Sequence, residues 1–254
     1  MNFVRSDPDF LIIGSQKAAT TTLHSYLSKN KNIHSSKIKE IQFFNMNYDR
    51  SIKYYKSCFP IKNKNKLTFE ATPDYIDHPL APKLCYEMFP NIKLIVTLRE
   101  PVERAFSHFN FVQGYSADER NISFEEGLNL ESDRMDMAFE HIFTDRYNSA
   151  RMFSNYGYLR KGEYVTHLNN WLEYYPIERF HFVDFKDIKS DIHIVIRKIC
   201  NFLEVPFQKI PQPKHLNKTA YNEKINKETY YNLRNHYRDY NDRLFKLISK
   251  DLNW

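Results

Sequence analysis

The stretch with the most chemistry in it is Gly14-Ser15-Gln16-Lys17-Ala18-Ala19-Thr20-Thr21-Thr22. It follows the apolar run Phe10-Leu11-Ile12-Ile13, so it reads as a turn from a buried strand into a helix beginning near Thr20. Backbone N–H groups at a helix N-terminus, joined by a lysine and several hydroxyls, form a cradle for a phosphate-like anion. The spacing is not that of the G-x-x-x-x-G-K-[ST] nucleotide loop. Ala19 and Thr20 stand where that loop needs its second glycine and its lysine, and Lys17 falls inside the turn. A second set, Arg99-Glu100-Pro101-Val102-Glu103-Arg104-Ala105-Phe106-Ser107, follows the β-branched run Lys93 to Leu98. An arginine at a strand's carboxyl end and a serine further along the next helix can converge on one anion, and open α/β sheets bind ligands at that edge. Glu40, between Lys39 and Ile41, is a carboxylate able to take a proton from an attacking group. Taken singly, each set has an ordinary use: a capped turn, a surface arginine with an inward serine, a surface ion pair.

Residues of this kind need a frame of alternating strands and helices. Phe10–Ile13 and Lys93–Leu98 read as buried strands, Arg179–Phe185 alternates, and Leu67–Ala71 is a weaker fourth. Helices are expected over Thr20–Leu27, from Pro101 to Phe111, around Leu168, Trp171 and Leu172, and from Tyr230 to Leu252. Ile192, Val195, Ile196, Ile199, Cys200 and Leu203 recur at helical spacing on one face. This order predicts an α/β fold, a single domain over 1–254 with a central, mainly parallel sheet flanked by helices and right-handed crossovers. No repeat or low-complexity linker interrupts it, and Lys62–Lys66 reads as an exposed loop.

With 254 residues, 42% hydrophobic and 27% charged, the chain is neither disordered, collagenous nor a small disulfide scaffold. The net charge of +6 suggests an anionic ligand. That charge is uneven. Between Tyr115 and Tyr147 nine acids face three arginines, a net −6, which leaves +12 for the remainder. The plain reading of such a run is a solvated helical face. Cys58, Cys85 and Cys200 form no CxxC pair, which fits a reducing compartment and gives no reason to expect a metal. No signal peptide and no apolar run long enough to span a bilayer is seen, so a cytoplasmic protein without membrane or nucleic-acid partners is expected.

Lys17 in GSQKAATTT, followed by the R-x-P-x-x-R-A-x-S pattern of Arg99 to Ser107, resembles the two cofactor loops of sulfotransferases that use 3′-phosphoadenosine-5′-phosphosulfate (PAPS). The chain is similar to the heparan-sulfate N- and O-sulfotransferase branch, in a bacterial-type form. Glu40-Ile41-Gln42-Phe43-Phe44 resembles its E-x-x-F-F segment. Gly162-Glu163-Tyr164 with His167, Leu168, Trp171 and Leu172 resembles its G-x-Y-x-x-H-L-x-x-W-L helix, and Tyr237-Arg238-Asp239-Tyr240-Asn241 its Y-R-x-x-N helix. The resemblance implies the sulfotransferase fold with a P-loop-like phosphosulfate loop, and transfer of a sulfuryl group from PAPS with release of 3′,5′-ADP and no metal. It implies that Lys17, Ala18, Ala19, Thr20, Thr21 and Thr22 hold the phosphosulfate side, with Lys17 catalytic. Arg99 and Ser107 would hold the 3′-phosphate, Lys218, Thr219 and Tyr221 would form a third cofactor loop, and Glu40 would be the catalytic base.

Three departures matter. Ala19 stands where many relatives carry glycine, Glu100 where asparagine or aspartate is usual, and Ala71 where the glycosaminoglycan enzymes place a lysine. With the acidic 115–147 stretch, Ala71 points to a hydroxyl or amine of a small neutral or cationic metabolite as the acceptor. A glycan acceptor, a non-catalytic nucleotide-binding protein of the same fold and an ATP-using P-loop kinase are the other readings. His24, His34 and His108 are the further candidates for the base.

Overall fold

Strands form where branched and aromatic residues run together: β1 (Phe10–Gly14), β2 (Ile33–Ser35), β3 (Leu67–Ala71), β4 (Lys93–Leu98) and β5 (Phe180–Asp184). The helices between them are α1 (Thr20–Leu27), α2 (Ile52–Ser57), α3 (Ala81–Met88), α4 (Pro101–Gln113), α5 (Phe124–Asn129), α6 (Glu131–Glu140), α7 (Arg146–Tyr156) and α8 (Tyr164–Leu172). After β5 come α9 (Phe185–Ser190), α10 (Ile192–Leu203) and α11 (Lys227–Leu247). The computed structural model of the chain describes residues 5–211 and 225–254. Within the α/β domain these residues group into two compact units, one of residues 5–76, 80–98 and 171–211, the other of 77–79, 99–170 and 225–254.

The first unit holds a five-stranded sheet in the order β2-β3-β1-β4-β5, and every pairing is parallel. The expected α/β class and parallel sheet are therefore present. β1 is central and buried at every position, which is why its sequence is continuously apolar and does not alternate. Phe10 and Ile12 of β1 pack with Phe69 of β3, Ile95 of β4, and the apolar faces of α1 and α10 in one core. The helical spacing of Ile192 to Leu203 is this buried face of α10. The 40 aromatics of the chain (Phe 20, Tyr 18, Trp 2) partly explain themselves here. Phe43, Phe44, Tyr55, Tyr75 and Phe89 form a second cluster of interlocked rings, with centroids as close as 4.5 Å for Phe43 and Tyr55. β2 was not expected: three residues at a sheet edge are too few to show a period.

In the second unit Val102, Ala105, Phe109 and Val112 of α4 pack with Phe124, Tyr158, Leu233 and Tyr237. A Cβ on Gly162 would lie 2.7 Å from the Tyr237 hydroxyl oxygen, and that hydroxyl donates to the Leu159 carbonyl at 2.9 Å. The G-x-Y and Y-R-x-x-N patterns thus meet as a packing pair. The acidic stretch builds α5, α6 and the entry to α7, and its reading as a solvated face needs correction. Asp118, Glu126, Asp133, Asp136, Glu140 and Asp145 are exposed, but Glu119 and Glu131 are buried. Glu119 pairs with Arg134 at 2.6 Å and accepts the Tyr158 hydroxyl at 2.8 Å. Glu131 accepts the N–H groups of Leu159 and Arg160 at 2.6 and 2.9 Å, and burial pushes its carboxyl up to about 7.

Candidate active site

The loop after β1 starts at a position packed too tightly for a side chain. A side chain at Gly14 would strike Ile76, with the Ile76 Cβ at 2.8 Å and the Pro73 carbonyl at 3.0 Å. Thr97 of β4 fixes the start of the loop: its hydroxyl donates to the Gly14 carbonyl at 2.9 Å and accepts the Ser15 N–H at 3.1 Å. Lys17 (φ 67°) and Ala19 (φ 68°) are both left-handed, and such alternation turns successive N–H groups toward one concavity. Ala19 is the N-cap of α1 and caps it with no side-chain hydrogen bond, so no N-cap side chain competes with an anion for the first N–H groups. The buried Ser15 hydroxyl has no hydrogen-bond partner among the described residues. Donors, a lysine and an unused hydroxyl fit the anionic end of a phosphosulfate. The glycine-to-alanine departure at Ala19 falls on a left-handed residue, where a Cβ costs about 1 kcal/mol.

Glu40 lies on a segment tied to the neighbouring strand of the same unit. Its N–H donates at 3.1 Å to the carbonyl of Ala71, the last residue of β3. Ala71 is the register partner of Ile12 in β1, so Glu40 sits at the carboxyl edge of the sheet from which the Lys17 loop also departs. Glu40 (φ 63°) and Gln42 (φ 55°) are left-handed. Ile41, Phe43 and Phe44 are buried, while the Glu40 side chain is 37% exposed and ion-paired with Lys39. The E-x-x-F-F pattern is therefore mechanical: the aromatics anchor the segment and leave the carboxylate at the surface. The ion pair expected of an ordinary surface glutamate is present as well.

In the second unit, Arg99 stands just before the N-cap of α4. Glu100 is the N-cap of that helix and accepts the Glu103 N–H at 2.6 Å, the task that asparagine or aspartate does elsewhere, and Pro101 occupies the first turn. The Arg99 carbonyl accepts the Tyr164 hydroxyl at 2.8 Å, and its guanidinium meets Glu103 at 3.4 Å. Ser107 is buried on α4. Arg104, the second arginine of the pattern, is fully buried and donates to the Tyr158 carbonyl at 2.5 Å, a structural place. Lys218, Thr219 and Tyr221, the expected third loop, lie outside the described residues.

Two of the three candidate histidines lose basicity to their surroundings. Burial, and then the positive charge of Lys39, pushes His24 down to about 4. His34 is also lowered by burial, and His108 is buried against the Ser154 carbonyl at 2.8 Å. Sequence reasoning passed over Glu70. It is fully buried and accepts from Tyr55, Tyr75 and Thr72 beside the Glu40 segment. Its one signal was an acid inside the strand run Leu67–Ala71, where a charge is out of place.

The fold is thus a parallel α/β sheet with a left-handed strand-to-helix turn after β1 and a carboxylate, Glu40, on the same edge. Residues 7–244 match the family model described as Sulfotransferase domain, and the chain belongs to that family. It is 30% identical over 208 residues to the bifunctional heparan sulfate N-deacetylase/N-sulfotransferase 1 of Caenorhabditis briggsae, covering 80% of this chain and 23% of that protein. It is 30% identical over 210 residues to mouse heparan sulfate glucosamine 3-O-sulfotransferase 5, covering 81% and 56%. The chain thus spans between about a quarter and just over half of the length of these relatives. The crystal structure of a sulfotransferase from Alicyclobacillus acidocaldarius has the same fold, with a TM-score of 0.80 over 97% of this chain and 98% of that one at 23% identity. Among the described residues no group of three or more His, Cys, Asp or Glu is placed to hold a metal ion, and no helix is long and apolar enough to cross a membrane.

Proposed function

We propose that this domain transfers a sulfuryl group from PAPS to a hydroxyl or amine, releasing 3′,5′-ADP. The observation that carries the reading is the left-handed Lys17–Ala19 turn at the head of α1, with Glu40 tethered to the end of the adjacent strand. PAPS supplies an activated sulfuryl group on a phosphate leaving group. The protein's part is to hold charge and move a proton. Lys17 and the N–H groups of residues 19–22 hold the negative charge of the leaving side, where fixed donors in a dehydrated site are worth several kcal/mol, while the Ala18 N–H closes the turn onto the Ser15 carbonyl at 3.1 Å. The Glu40 carboxylate takes the proton that the acceptor must lose. Arg99 and Ser107 are assigned to the 3′-phosphate on the strength of their pattern.

For the acceptor, the relatives' named substrates point to a sugar. Ala71 is fully buried and puts no cation at the end of β3. A carbohydrate without dense negative charge fits that lack, and a small neutral or cationic metabolite is the second class it admits. Calorimetry with 3′,5′-ADP and with ATP, with and without Mg²⁺, tests the donor side. Preference for 3′,5′-ADP independent of Mg²⁺ is expected, and preference for Mg²⁺–ATP would overturn it. Release of 3′,5′-ADP from PAPS is then followed over a panel of neutral oligosaccharides, amino-sugar oligosaccharides, sulfated heparin fragments and small amines or alcohols. Turnover confined to the heparin fragments would sink the acceptor assignment.

A further inference from the structure

Glu70 has no part in the mechanism above, yet it is the most completely enclosed carboxylate in the first unit's site region. It is the penultimate residue of β3, 0% exposed, and its register partner is Leu11 of the central strand. Both oxygens are in use. Oε1 accepts the hydroxyls of Tyr55 and Tyr75, each at 2.9 Å, and Oε2 accepts the Thr72 hydroxyl at 2.8 Å. A fourth donor is the backbone N–H of Ile41. The same partners reach the Glu40 segment again. The Tyr75 hydroxyl oxygen accepts the Phe43 N–H at 2.8 Å, and Thr72 Oγ1 faces the Gln42 N–H at 3.4 Å. Glu70 therefore organises three consecutive amides, at 41, 42 and 43, directly or through one hydroxyl.

That arrangement has a purpose visible in the backbone. Glu40 and Gln42 are both in the left-handed region, which non-glycine residues leave unless something holds them. A buried carboxylate that accepts four donors is such a restraint, because it cannot move without exposing several unpaired groups. A hydrophobic residue of the same volume would pack in the aromatic cluster without the cost of burying a charge.

We propose that Glu70 is a positioning residue for catalysis: it holds the 40–43 segment so that the Glu40 carboxylate stays at the carboxyl edge of the sheet. The inference rests on Glu40 being the base. Glu70 touches no reacting atom. Only an ionised carboxylate can accept from all four partners, since a protonated one must turn one oxygen into a donor. Burial pushes the Glu70 carboxyl up to about 6. The titratable groups around it, Tyr55 on α2, Cys58, Tyr75 and Cys85 on α3, are all pushed upward by burial and stay neutral below pH 8, so Glu70 is the group that titrates there. Acidification through about pH 6 then loosens the segment, which gives the wild type a limb in its pH profile.

The test compares Glu70→Gln, Glu40→Gln and the double variant, with Tyr75→Phe as a variant that keeps the ring in the core and removes one hydroxyl link. An amide at position 70 offers one accepting oxygen for four donors. The hydroxyls can rotate to suit it, and the Ile41 N–H cannot. In Glu70→Gln, hydrogen exchange at the Ile41 and Phe43 amides should quicken about 10-fold or more, with 3′,5′-ADP affinity within about twofold of wild type. Turnover, read as 3′,5′-ADP release from PAPS with water and with the oligosaccharide panel as acceptors, should fall about 10-fold or more, as misplacement of a catalytic group does. The double variant should be no slower than Glu40→Gln alone, and the wild-type limb near pH 6 should vanish in Glu70→Gln. Tyr75→Phe should shift exchange in the same direction by less. Slow turnover in Glu40→Gln with wild-type turnover and exchange in Glu70→Gln would overturn this inference alone. Multiplicative losses in the double variant would overturn it as well. Normal turnover in Glu40→Gln would instead remove the base, and the positioning role with it.

Discussion

Gly14→Ala is the sharpest probe of how the anion loop is built. The added Cβ would sit 2.8 Å from the Ile76 Cβ and 3.0 Å from the Pro73 carbonyl. Ordinary carbon contacts are about 3.5–4.0 Å, so the first overlap is close to 1 Å. Neither neighbour can retreat cheaply. Ile76 is buried and its N–H is held by the Ile13 carbonyl at 2.8 Å, and the Pro73 atom belongs to the backbone. Overpacking of this kind costs about 1–3 kcal/mol, and two constrained contacts place it near the upper end. A loss of about 3 kcal/mol lowers the folded-to-unfolded ratio roughly 100-fold and moves a urea midpoint by about 1 M at unchanged slope. If the chain relieves the overlap by moving Gly14 instead, the Thr97 bonds to Gly14 and Ser15 stretch and the loop shifts. Stability then falls less and 3′,5′-ADP affinity falls more. Urea unfolding and calorimetry on the same preparation read both routes. Wild-type midpoint together with wild-type 3′,5′-ADP affinity would refute the reasoning.

Lys17→Ala and Glu40→Gln should each lower turnover about 100-fold or more, while Glu40→Gln leaves 3′,5′-ADP affinity near wild type, measured by PAPS turnover and calorimetry. Thr97→Val removes the buried hydroxyl shared by Gly14 and Ser15 and should cost about 1–3 kcal/mol in urea unfolding, with weaker 3′,5′-ADP binding. Burial, and then the charge of Arg160, pushes His167 down to about 3. Between that value and its unfolded value of about 6.5 the unfolded chain binds a proton that the folded chain refuses, so the contribution is fully present above about pH 6.5 and is lost as pH falls. At pH 5 the loss is about 2 kcal/mol, and a His167→Gln variant should show a flatter fall in stability from pH 7 to pH 5. An unchanged slope would show that His167 is not the group responsible.

Much of the frame was legible locally. β4 and α10 lie where their residue runs place them, because each is governed by a period or a buried run within a single element. The Lys17 turn was legible for the same reason: a strand end, a lysine and hydroxyls are contiguous. Charge was read less well. Glu119 and Glu131 looked like part of a solvated run, and each turned inward because a partner outside that run meets it, Tyr158 for one, the amides of 159 and 160 for the other. Arg104 and Arg99 belong to one pattern in sequence, yet the first is a core residue and the second stands at the head of α4.

The fold class, the strand-to-helix turn at Lys17 and the family resemblance were readable along the chain, since all three reside in short ordered segments whose meaning does not depend on distant partners. Only the tertiary structure decided how Glu40 is held. Its segment, residues 40–43, is restrained by Ala71, Thr72, Tyr75 and Glu70, some 30 residues further along the chain. No local rule marks Glu70 for that task. A buried carboxylate is tolerated only where several donors converge on it, and convergence is a property of folded space, not of spacing along a chain.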